Sequence, residues 1–298
     1  MASILSEFHP SIVTYLTLRH CRELELPHQL QTFSRLMKID IYNSTIVAWP
    51  DDAALTATHH PYLAMVYLRL VEFGGTLPAC LLAKTFPPTV GEIIIAFTDL
   101  TSLPENLREV WPGPLGMLVI EHSPLESLPV SFLTSVNFTE NLSFSGNQIT
   151  TLPIEIFQLC CAAVLMIDNP ITNISQGQAP TEIAMKASID LSGSRLVSLP
   201  EWMSADYLHA QDVLIVLGGS PLCDLLIEEF TALLMTPSLD VAGKNCSSTD
   251  NESSMSDYDF FSKISANKSI WCSTTTEYMV NLLSYEELAS LPNGADGV

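Results

Sequence analysis

Positive charge is scarce in this sequence. The chain has 12 Lys and Arg against 33 Asp and Glu in 298 residues, and its formal net charge is −21. A surface this acidic repels nucleic acid and anionic membranes, and it attracts basic patches on other proteins. We therefore expect no nucleic-acid partner. Hydrophobic residues make up 47% of the chain, which is enough to bury a substantial core and is not typical of a disordered protein.

Long apolar runs and basic leaders are also missing. The longest apolar run covers residues 159–167 and ends at Asp168, whereas a membrane-spanning helix needs about 18 residues. The first nine residues contain no basic stretch followed by an apolar one. We therefore expect no membrane span and no secretory signal peptide within this chain.

Motifs that carry catalysis or bind metals are absent. The sequence contains no P-loop, no G-x-G-x-x-G, no G-x-S-x-G, no H-E-x-x-H and no Cys-x-x-Cys pair. We interpret the adjacent His59 and His60 as a turn feature. The sequence thus predicts no catalytic residue, no cofactor and no metal site, and we do not expect an enzyme.

A repeated pattern of apolar residues runs through the chain. Two apolar residues stand two positions apart, a small polar residue follows three positions later, and two more apolar residues come before a frequent proline. The clearest copy consists of Leu142, Phe144, Asn147, Ile149, Leu152 and Pro153. Seven copies keep the full spacing, beginning at Ile39, Ile93, Leu118, Leu142, Val164, Ile189 and Ile215.

Two further copies are less regular. The first begins at Leu16 and has Glu23 where an apolar residue is expected. The other, at about residues 65–78, fits loosely, and its Gly74 and Gly75 indicate a looped or distorted repeat. Successive copies begin 22 residues apart (142 to 164) to 28 residues apart (65 to 93).

This pattern and period resemble those of the leucine-rich-repeat family, over about residues 11–234. The resemblance implies an α/β solenoid with a curved parallel sheet on its concave side and an irregular or helical convex side. We assign residues 1–235 to about nine repeats and residues 236–298 to a loop and a C-terminal cap or tail.

The spacing of the repeat follows from the geometry of a short strand and the turn after it. Residues two apart point to the same side of a strand, so Leu142 and Phe144 should both enter the core. The small polar residue turns the chain, and Asn147 and Asn169 can bond backbone groups inside that turn. One repeat cannot bury its own apolar face, so stacking of repeats must supply the core.

The end of the repeats looks like a cap. Residues 220–224, Ser-Pro-Leu-Cys-Asp, resemble the N-P-x-x-C opening of cysteine-bearing caps in extracellular family members, with Ser in place of Asn and the cysteine one residue early. Residues 225–234 should form a closing helix, and residues 269–291 have enough apolar residues to pack back on the last repeat. One disulfide among Cys223, Cys246 and Cys272 would fit such a cap.

Glycosylation sequons are frequent. Seven Asn-x-Ser/Thr triplets occur, where about two are expected by chance, at Asn43, Asn137, Asn141, Asn173, Asn245, Asn251 and Asn267. This excess favours a secreted or cell-surface glycoprotein. The alternative is that Ser/Thr-rich turns follow Asn for structural reasons.

Strand residues that do not enter the core should form a concave surface for a partner. Its N-terminal half has apolar and aromatic residues of the kind that mark contact sites. We predict a protein or peptide footprint on Tyr42, Ile94, Phe97, Val119 and His122. The alternative is that β-propensity alone placed these residues in strands.

The function that these patterns favour is recognition of a protein or peptide on the concave face, in an extracellular or receptor-like ectodomain. Two alternatives stay open. An intracellular scaffold agrees with the absent signal peptide and the odd number of cysteines, seven. A regulatory segment of a larger enzyme is the third.

Overall fold

The computed structural model describes residues 5, 7–111, 115–133, 138–159, 163–178, 188–203, 214–227 and 270–272. Short strands recur through all of these segments except the first. Their bounds are β1 Tyr15–Arg19, β2 Leu24–Glu25, β3 Lys38–Ala48, β4 Met65–Glu72, β5 Glu92–Ala96, β6 Leu115–Glu121, β7 Phe138–Ser143, β8 Thr151–Leu152, β9 Ala163–Leu165, β10 Asn173–Ile174, β11 Ser188–Asp190, β12 Leu214–Val216 and β13 Ile270–Trp271.

One strand from each repeat joins a long parallel sheet. Its order is β1-β3-β4-β5-β6-β7-β9-β11-β12-β13, and β2 adds to it by pairing with β3. A second, two-stranded parallel sheet joins β8 and β10. Parallel neighbours in chain order require a full turn of chain between strands, as in a solenoid. The predicted architecture is confirmed.

The predicted register of the core is also confirmed. Leu142 and Phe144 are both fully buried, and the paired positions of the other regular repeats are equally inaccessible. Each of these side chains stacks on its counterparts in the next repeat, so a single apolar core runs along the solenoid. Burial of one such Leu or Ile contributes about 1.5–3 kcal/mol.

The small polar residues close the turn after each strand. The Asn147 amide donates to the carbonyls of Ile120 and Phe144, both at 2.7 Å, and accepts the Ser123 N–H at 3.0 Å. The Asn169 amide donates to Phe144 at 2.8 Å and to Met166 at 3.0 Å. The two asparagines therefore bond to the same carbonyl and tie neighbouring repeats together, as their turn role predicted.

The residue before each turn position has a left-handed backbone. Such a conformation costs an L-residue roughly 1–2 kcal/mol, and glycine adopts it freely. Three of these residues are glycine, and six carry a side chain that lies along the row of turns. The row, with φ in degrees, is His20 (56), Asn43 (44), Leu70 (55), Phe97 (54), His122 (49), Gly146 (69), Asp168 (54), Gly193 (72) and Gly219 (70).

The loosely fitting third repeat is regular in its strand and unusual after it. Strand β4 pairs in full register with both β3 and β5. The loop that follows has Gly74 and Gly75 at φ 87° and 82°. The Asp99 carboxylate accepts the N–H groups of Phe73, Gly74 and Gly75 at 2.8–3.0 Å. The expected looped repeat is thus present, and a carboxylate from the next repeat holds it.

In the first repeat, the core position that the pattern assigns to Glu23 is filled by the next residue, Leu24. Glu23 is exposed, and Leu24 is fully buried in the place where the pattern required an apolar side chain. The pairing of β2 with β3 is irregular at this point, between Leu24 and Glu25. Leu24 is opposite Ile46 and Glu25 is opposite Ala48, so the unpaired residue is Val47, which bulges from β3 and leaves the core intact.

Short helical turns form much of the convex side. The 3₁₀ helices are His28–Thr32, Asp51–Ala53, Ala79–Leu82, Leu107–Glu109 and Ile154–Gln158, and one α-helical turn covers Val130–Leu133. His60 is fully buried beside them, where Nε2 donates to the Leu30 carbonyl at 3.0 Å and Nδ1 accepts the Thr56 N–H. Burial lowers the pKa of His60, which agrees with its interpretation as a structural turn residue.

The C-terminal end is held by a disulfide. A helix covers residues 221–227, so it begins four residues before the predicted one. Cys223 is bonded to Cys272, with Cα atoms 5.5 Å apart, and the adjacent β13 pairs in parallel with β12. This disulfide is one of the three pairings possible among Cys223, Cys246 and Cys272, of which one was predicted. The boundary at residue 235 stays a prediction, and Cys246 lies outside the described residues.

Within the part of the chain that the structure describes, no helix is long and apolar enough to cross a bilayer. Over the same residues, no group of three or more His, Cys, Asp or Glu side chains is arranged to hold a metal ion. Cys80 is a buried free thiol. Cys21 is a free thiol that is only partly buried.

Candidate binding face

The strand register arranges the concave side chains in rows. Residues directly opposite in parallel strands lie about 4.8 Å apart, so each row is continuous across repeats. The middle row runs through Thr17, Asp40, Tyr67, Ile94, Val119, Ser143, Leu165, Asp190 and Val216. Ile94 and Val119 are therefore direct neighbours, as the predicted footprint required.

The expected exposure of that footprint is wrong for three of its five residues. Tyr42, Ile94 and Val119 are 3%, 7% and 0% exposed. Ile94, Val119 and Ala96 pack into a small apolar cluster of their own, separate from the main core. The sequence pattern shows which side of a strand a residue faces, but not how far its neighbours fold over it.

Larger side chains cover this concave cluster, which we define as Ile94, Ala96 and Val119. Tyr67, Phe97 and Met117 pack against it and remain partly accessible. Phe97 also stacks on His122, with ring centroids 4.4 Å apart and planes inclined by 11°. The accessible apolar surface is thus formed by Tyr67, Phe97 and Met117, while the predicted Ile94 and Val119 form its floor.

His122, the second ring of this stack, is half-buried. Burial lowers its pKa, and the nearby Asp168 carboxylate partly opposes that shift. Its backbone N–H donates to the Ser145 carbonyl at 3.0 Å. A neutral imidazole stacked on a phenyl ring presents a flat, weakly polar surface to a ligand.

Cations and tyrosines dominate the concave face on the first three strands of the long sheet. The Tyr42 ring lies between the guanidinium groups of Arg19, at 5.6 Å, and Arg69, at 5.7 Å. The Lys38 ammonium lies 4.1 Å from the centre of the Tyr67 ring. We call these five residues the N-terminal patch. Such contacts contribute about 0.5–2 kcal/mol each.

Two carboxylates fix the geometry of the N-terminal patch. Asp40 is buried between Arg69, whose Nη2 lies 3.0–3.1 Å from both carboxylate oxygens, and Lys38, at 3.4 Å. The Tyr67 hydroxyl donates to Glu92 at 2.6 Å, and this bond, after burial, raises the pKa of Tyr67 well above its usual value.

The repeated pattern does not identify Tyr67 and Arg69 as concave residues. Their repeat departs from the pattern at the turn, because Val71 stands where the other repeats have a small residue that is usually polar. The buried alternation of Val66 and Leu68 carried the signal that would have found them.

A buried acid lies beyond the apolar cluster. Glu121 is 7% exposed, and burial raises its pKa to about 7, although the Ser143 hydroxyl donates to its carboxylate and opposes the shift. Asp190 is also buried, and it accepts the Ser192 N–H at 2.9 Å. The C-terminal half of the face thus carries two buried acids, beside the apolar Leu165 and Val216 of the middle row.

Three of the seven sequons can be located. Asn43, Asn141 and Asn173 are exposed, as glycan acceptors must be. Asn43 donates to His20 Nδ1 at 3.0 Å, Asn141 lies on β7 at the concave face, and Asn173 lies on β10 in the second sheet. The other sequons, at Asn137, Asn245, Asn251 and Asn267, lie outside the described residues.

The sequence matches no protein-family model and no curated protein. Solved structures of leucine-rich-repeat proteins do match its fold. One belongs to the octameric complex of Latrophilin 3, Unc5D and FLRT2, in which FLRT2 contributes the LRR. Its TM-score is 0.52 at 14% identity, over 76% of this chain and 68% of that chain.

Two more matches extend the comparison. The TLR13 chain of the TLR13–ssRNA13 complex has a TM-score of 0.52 at 14% identity, over 70% of this chain and 28% of its own. LIC12759, an LRR protein of Leptospira interrogans, has a TM-score of 0.47 at 19% identity, over 74% of this chain and 58% of its own. This chain therefore spans only part of the length of either protein.

The sheet topology and the likenesses to FLRT2 and TLR13 give the chain the leucine-rich-repeat fold, in which stacked repeats form an extended concave surface. The expectation that nucleic acid is excluded gains no support from the fold, because TLR13 is in complex with ssRNA13. That expectation rests on the net charge of −21 alone.

Proposed function

We propose that this leucine-rich-repeat chain is an extracellular recognition module that binds a protein or peptide on its concave face. The observation that carries the proposal is the concave cluster, an apolar site built outside the main core. Its accessible cover is Tyr67, Phe97 and Met117, beside His122. Ile94 and Val119 support this surface from below, and Tyr42 is buried between Arg19 and Arg69 in the N-terminal patch.

Physical chemistry favours binding at that place. The repeat needs apolar residues only on the core side of its strands, yet the adjacent concave positions Ile94 and Val119 are both apolar; further along the same row, polar Ser143 and Asp190 alternate with Leu165 and Val216. Apolar and aromatic residues at the centre of a concave surface are the usual anchors of a protein interface. Burial of Phe97 and Met117 by a partner would remove apolar surface from water, a favourable contribution of about 25 cal/mol per Å² that the ordering costs of association partly offset.

The test is selection of displayed random peptides on the immobilised chain. We expect enriched peptides to bind the wild-type chain and to lose affinity for Phe97→Asn, because Asn tolerates the left-handed backbone and removes the ring. Met117→Glu should act in the same way. Val130→Asn and Val197→Glu are the matched controls, since both residues are exposed elsewhere.

Equal capture by Phe97→Asn, Met117→Glu and the wild-type chain would refute the concave site. Val119→Asp is unsuitable for this test, because Val119 is fully buried and the variant would report on folding. A thermal melt of each variant separates lost binding from lost structure.

The extracellular part of the proposal rests on the seven sequons and on the Cys223–Cys272 disulfide. Expression through a secretory route should give a glycosidase-sensitive mass shift, and Asn43→Gln, Asn141→Gln and Asn173→Gln should each reduce it. Full occupancy of both Asn43 and Asn141 would contradict a wide protein footprint, because both lie on or beside the concave face.

An intracellular scaffold is the second candidate. It is favoured by Cys21 and Cys80, which are free thiols in the described part of the chain. Absence of any glycosidase-sensitive shift after secretion would favour this candidate, and it would leave the concave site untouched.

A further inference from the structure

The N-terminal patch concentrates positive charge, which is scarce in the chain as a whole. The chain has 12 Lys and Arg and a net charge of −21. Three of those cations, Arg19, Lys38 and Arg69, lie on the adjacent strands β1, β3 and β4. They face two carboxylates, Asp40 and Glu92, so the patch carries a net positive charge on an acidic protein.

These cations are held in position before any partner binds. Asp40 fixes Arg69 at 3.0 Å and Lys38 at 3.4 Å. The Tyr42 ring supports Arg19 and Arg69, and the Tyr67 ring supports Lys38. Charged groups that lose little side-chain freedom on binding contribute more to affinity, since their ordering cost is already met by the fold.

The charge changes sign along the concave face. The N-terminal patch adjoins the concave cluster, because Tyr67 packs on that cluster and is opposite Ile94. On the far side, the described strands from β6 to β12 carry no Lys or Arg, and Glu121, Asp168 and Asp190 take their place. A partner segment that crosses the face therefore meets cations, then apolar side chains, and then strands without Lys or Arg, where Asp168 is exposed and Glu121 and Asp190 are buried.

We propose that the N-terminal patch binds an acidic segment of the partner, a short run of Asp or Glu that continues into the apolar residues lying over the concave cluster. The proposal rests on the proposed function, and it adds the chemistry and the direction of the bound segment. The partner's carboxylates pair with Arg19 and Lys38 at the accessible rim of the patch, and the partly accessible Tyr67 ring packs against the methylene groups of the segment's side chains.

An acidic peptide fits this surface better than RNA does. Strand spacing of about 4.8 Å makes the patch only roughly 10–15 Å wide. Nucleic-acid binding needs a longer series of cations to neutralise successive phosphates, and the remaining acidic surface repels them. Carboxylates that precede an apolar run match both halves of the site.

The peptide selection of the preceding subsection, at physiological ionic strength, tests this inference. The peptides selected on the wild-type chain should be enriched in Asp and Glu relative to the input library. The enrichment should vanish for the double variant Arg19→Glu/Lys38→Glu and persist for Arg35→Glu/Lys84→Glu. Both doubles change the net charge equally, and Arg35 and Lys84 are exposed off the concave face.

A synthetic copy of one selected acidic peptide gives the magnitude. Its affinity should fall on the order of tenfold in the patch double variant and less than about twofold in the control. The neutral pair Arg19→Gln/Lys38→Gln should give an intermediate loss, and it serves in place of the charge reversal if a melt shows that Arg19→Glu/Lys38→Glu is unfolded.

Three other outcomes are decisive. If the selected peptides are neutral or basic and their capture still depends on Phe97, the proposal of an acidic segment is refuted and the proposed function stands. No enriched peptide at all refutes both. A labelled single-stranded oligouridylate that binds the wild-type chain, but not Arg19→Glu/Lys38→Glu, overturns the proposal in favour of nucleic acid.

Discussion

The imidazole ring of His122 lies against the backbone of Gly146, in the space that a Cβ atom at Gly146 would occupy. The two residues hold the same left-handed position in successive repeats. The same relationship joins the Asp168 carboxylate to Gly193. Glycine in one repeat thus makes room for the side chain of the repeat before it.

Gly146→Ala should destabilise the chain for two separable reasons. The left-handed φ of 69° costs an alanine roughly 1 kcal/mol, and the clash with the His122 ring adds about 1–3 kcal/mol. Gly74→Ala is the matched control, because its φ is 87° but its Cβ would meet no atom within 4 Å. Denaturant unfolding should therefore show a larger loss for Gly146→Ala.

A second substitution isolates the clash. His122→Ala in the Gly146→Ala background should recover the part of the loss that exceeds the loss in Gly74→Ala. If the double variant is no more stable than Gly146→Ala, the contact with His122 does not explain the glycine.

Ser194→Asn should stabilise the chain. Ser194 holds the turn position of Asn147 and Asn169, yet its buried hydroxyl has no hydrogen-bond partner among the described residues. An amide there can donate to the carbonyls of Met166 and Leu191, as the two asparagines do to their counterparts. A gain of about 1 kcal/mol is expected.

The reverse change calibrates this gain. Asn147→Ser should remove hydrogen bonds to Ile120, Phe144 and Ser123 and cost roughly 2–3 kcal/mol in urea unfolding. A lower stability of Ser194→Asn than of the wild-type chain would mean that the turn near residue 194 cannot admit the larger side chain.

The sequence predicts the core and turn positions of this solenoid well. It predicts poorly how the side chains on the concave face pack and how exposed they are. Leu142, Phe144 and Asn147 follow from spacing alone, because core and turn positions must satisfy the same geometry in every repeat. Burial of Val119 does not follow from spacing, since it depends on how Met117 and Phe97 fold across the sheet. Asp99 bonds to Gly74 from the next repeat, a contact that no period encodes.

Glu121→Gln should change the dependence of stability on pH. Burial raises the folded-state pKa of Glu121 from 4.5 to about 7. Its contribution to stability is therefore fully present below about pH 4.5 and is lost as pH rises through about 7. Glutamine stays neutral, so the variant should exceed the wild-type chain by up to roughly 3 kcal/mol near pH 8 and by little near pH 5.

Thermal melts at both pH values measure this difference. Glu126→Gln is the matched control, because Glu126 is exposed and away from the concave strands. An offset between Glu121→Gln and the wild-type chain that is equal at both pH values would show that Glu121 keeps an ordinary titration in the folded protein.

Loss of the Cys223–Cys272 disulfide should loosen one end of the solenoid and spare the rest. The two cysteines are 49 residues apart in sequence, and the chain-entropy model assigns such a loop roughly 4 kcal/mol. Repeats contact only their neighbours, so Cys272→Ser should open the pairing of β13 with β12 without unfolding β5. Hydrogen exchange should accelerate at residues 214–217 and stay unchanged at residues 93–97. Equal acceleration in both segments would mean that the solenoid unfolds as one cooperative unit, and the disulfide would then stabilise all of it rather than its end.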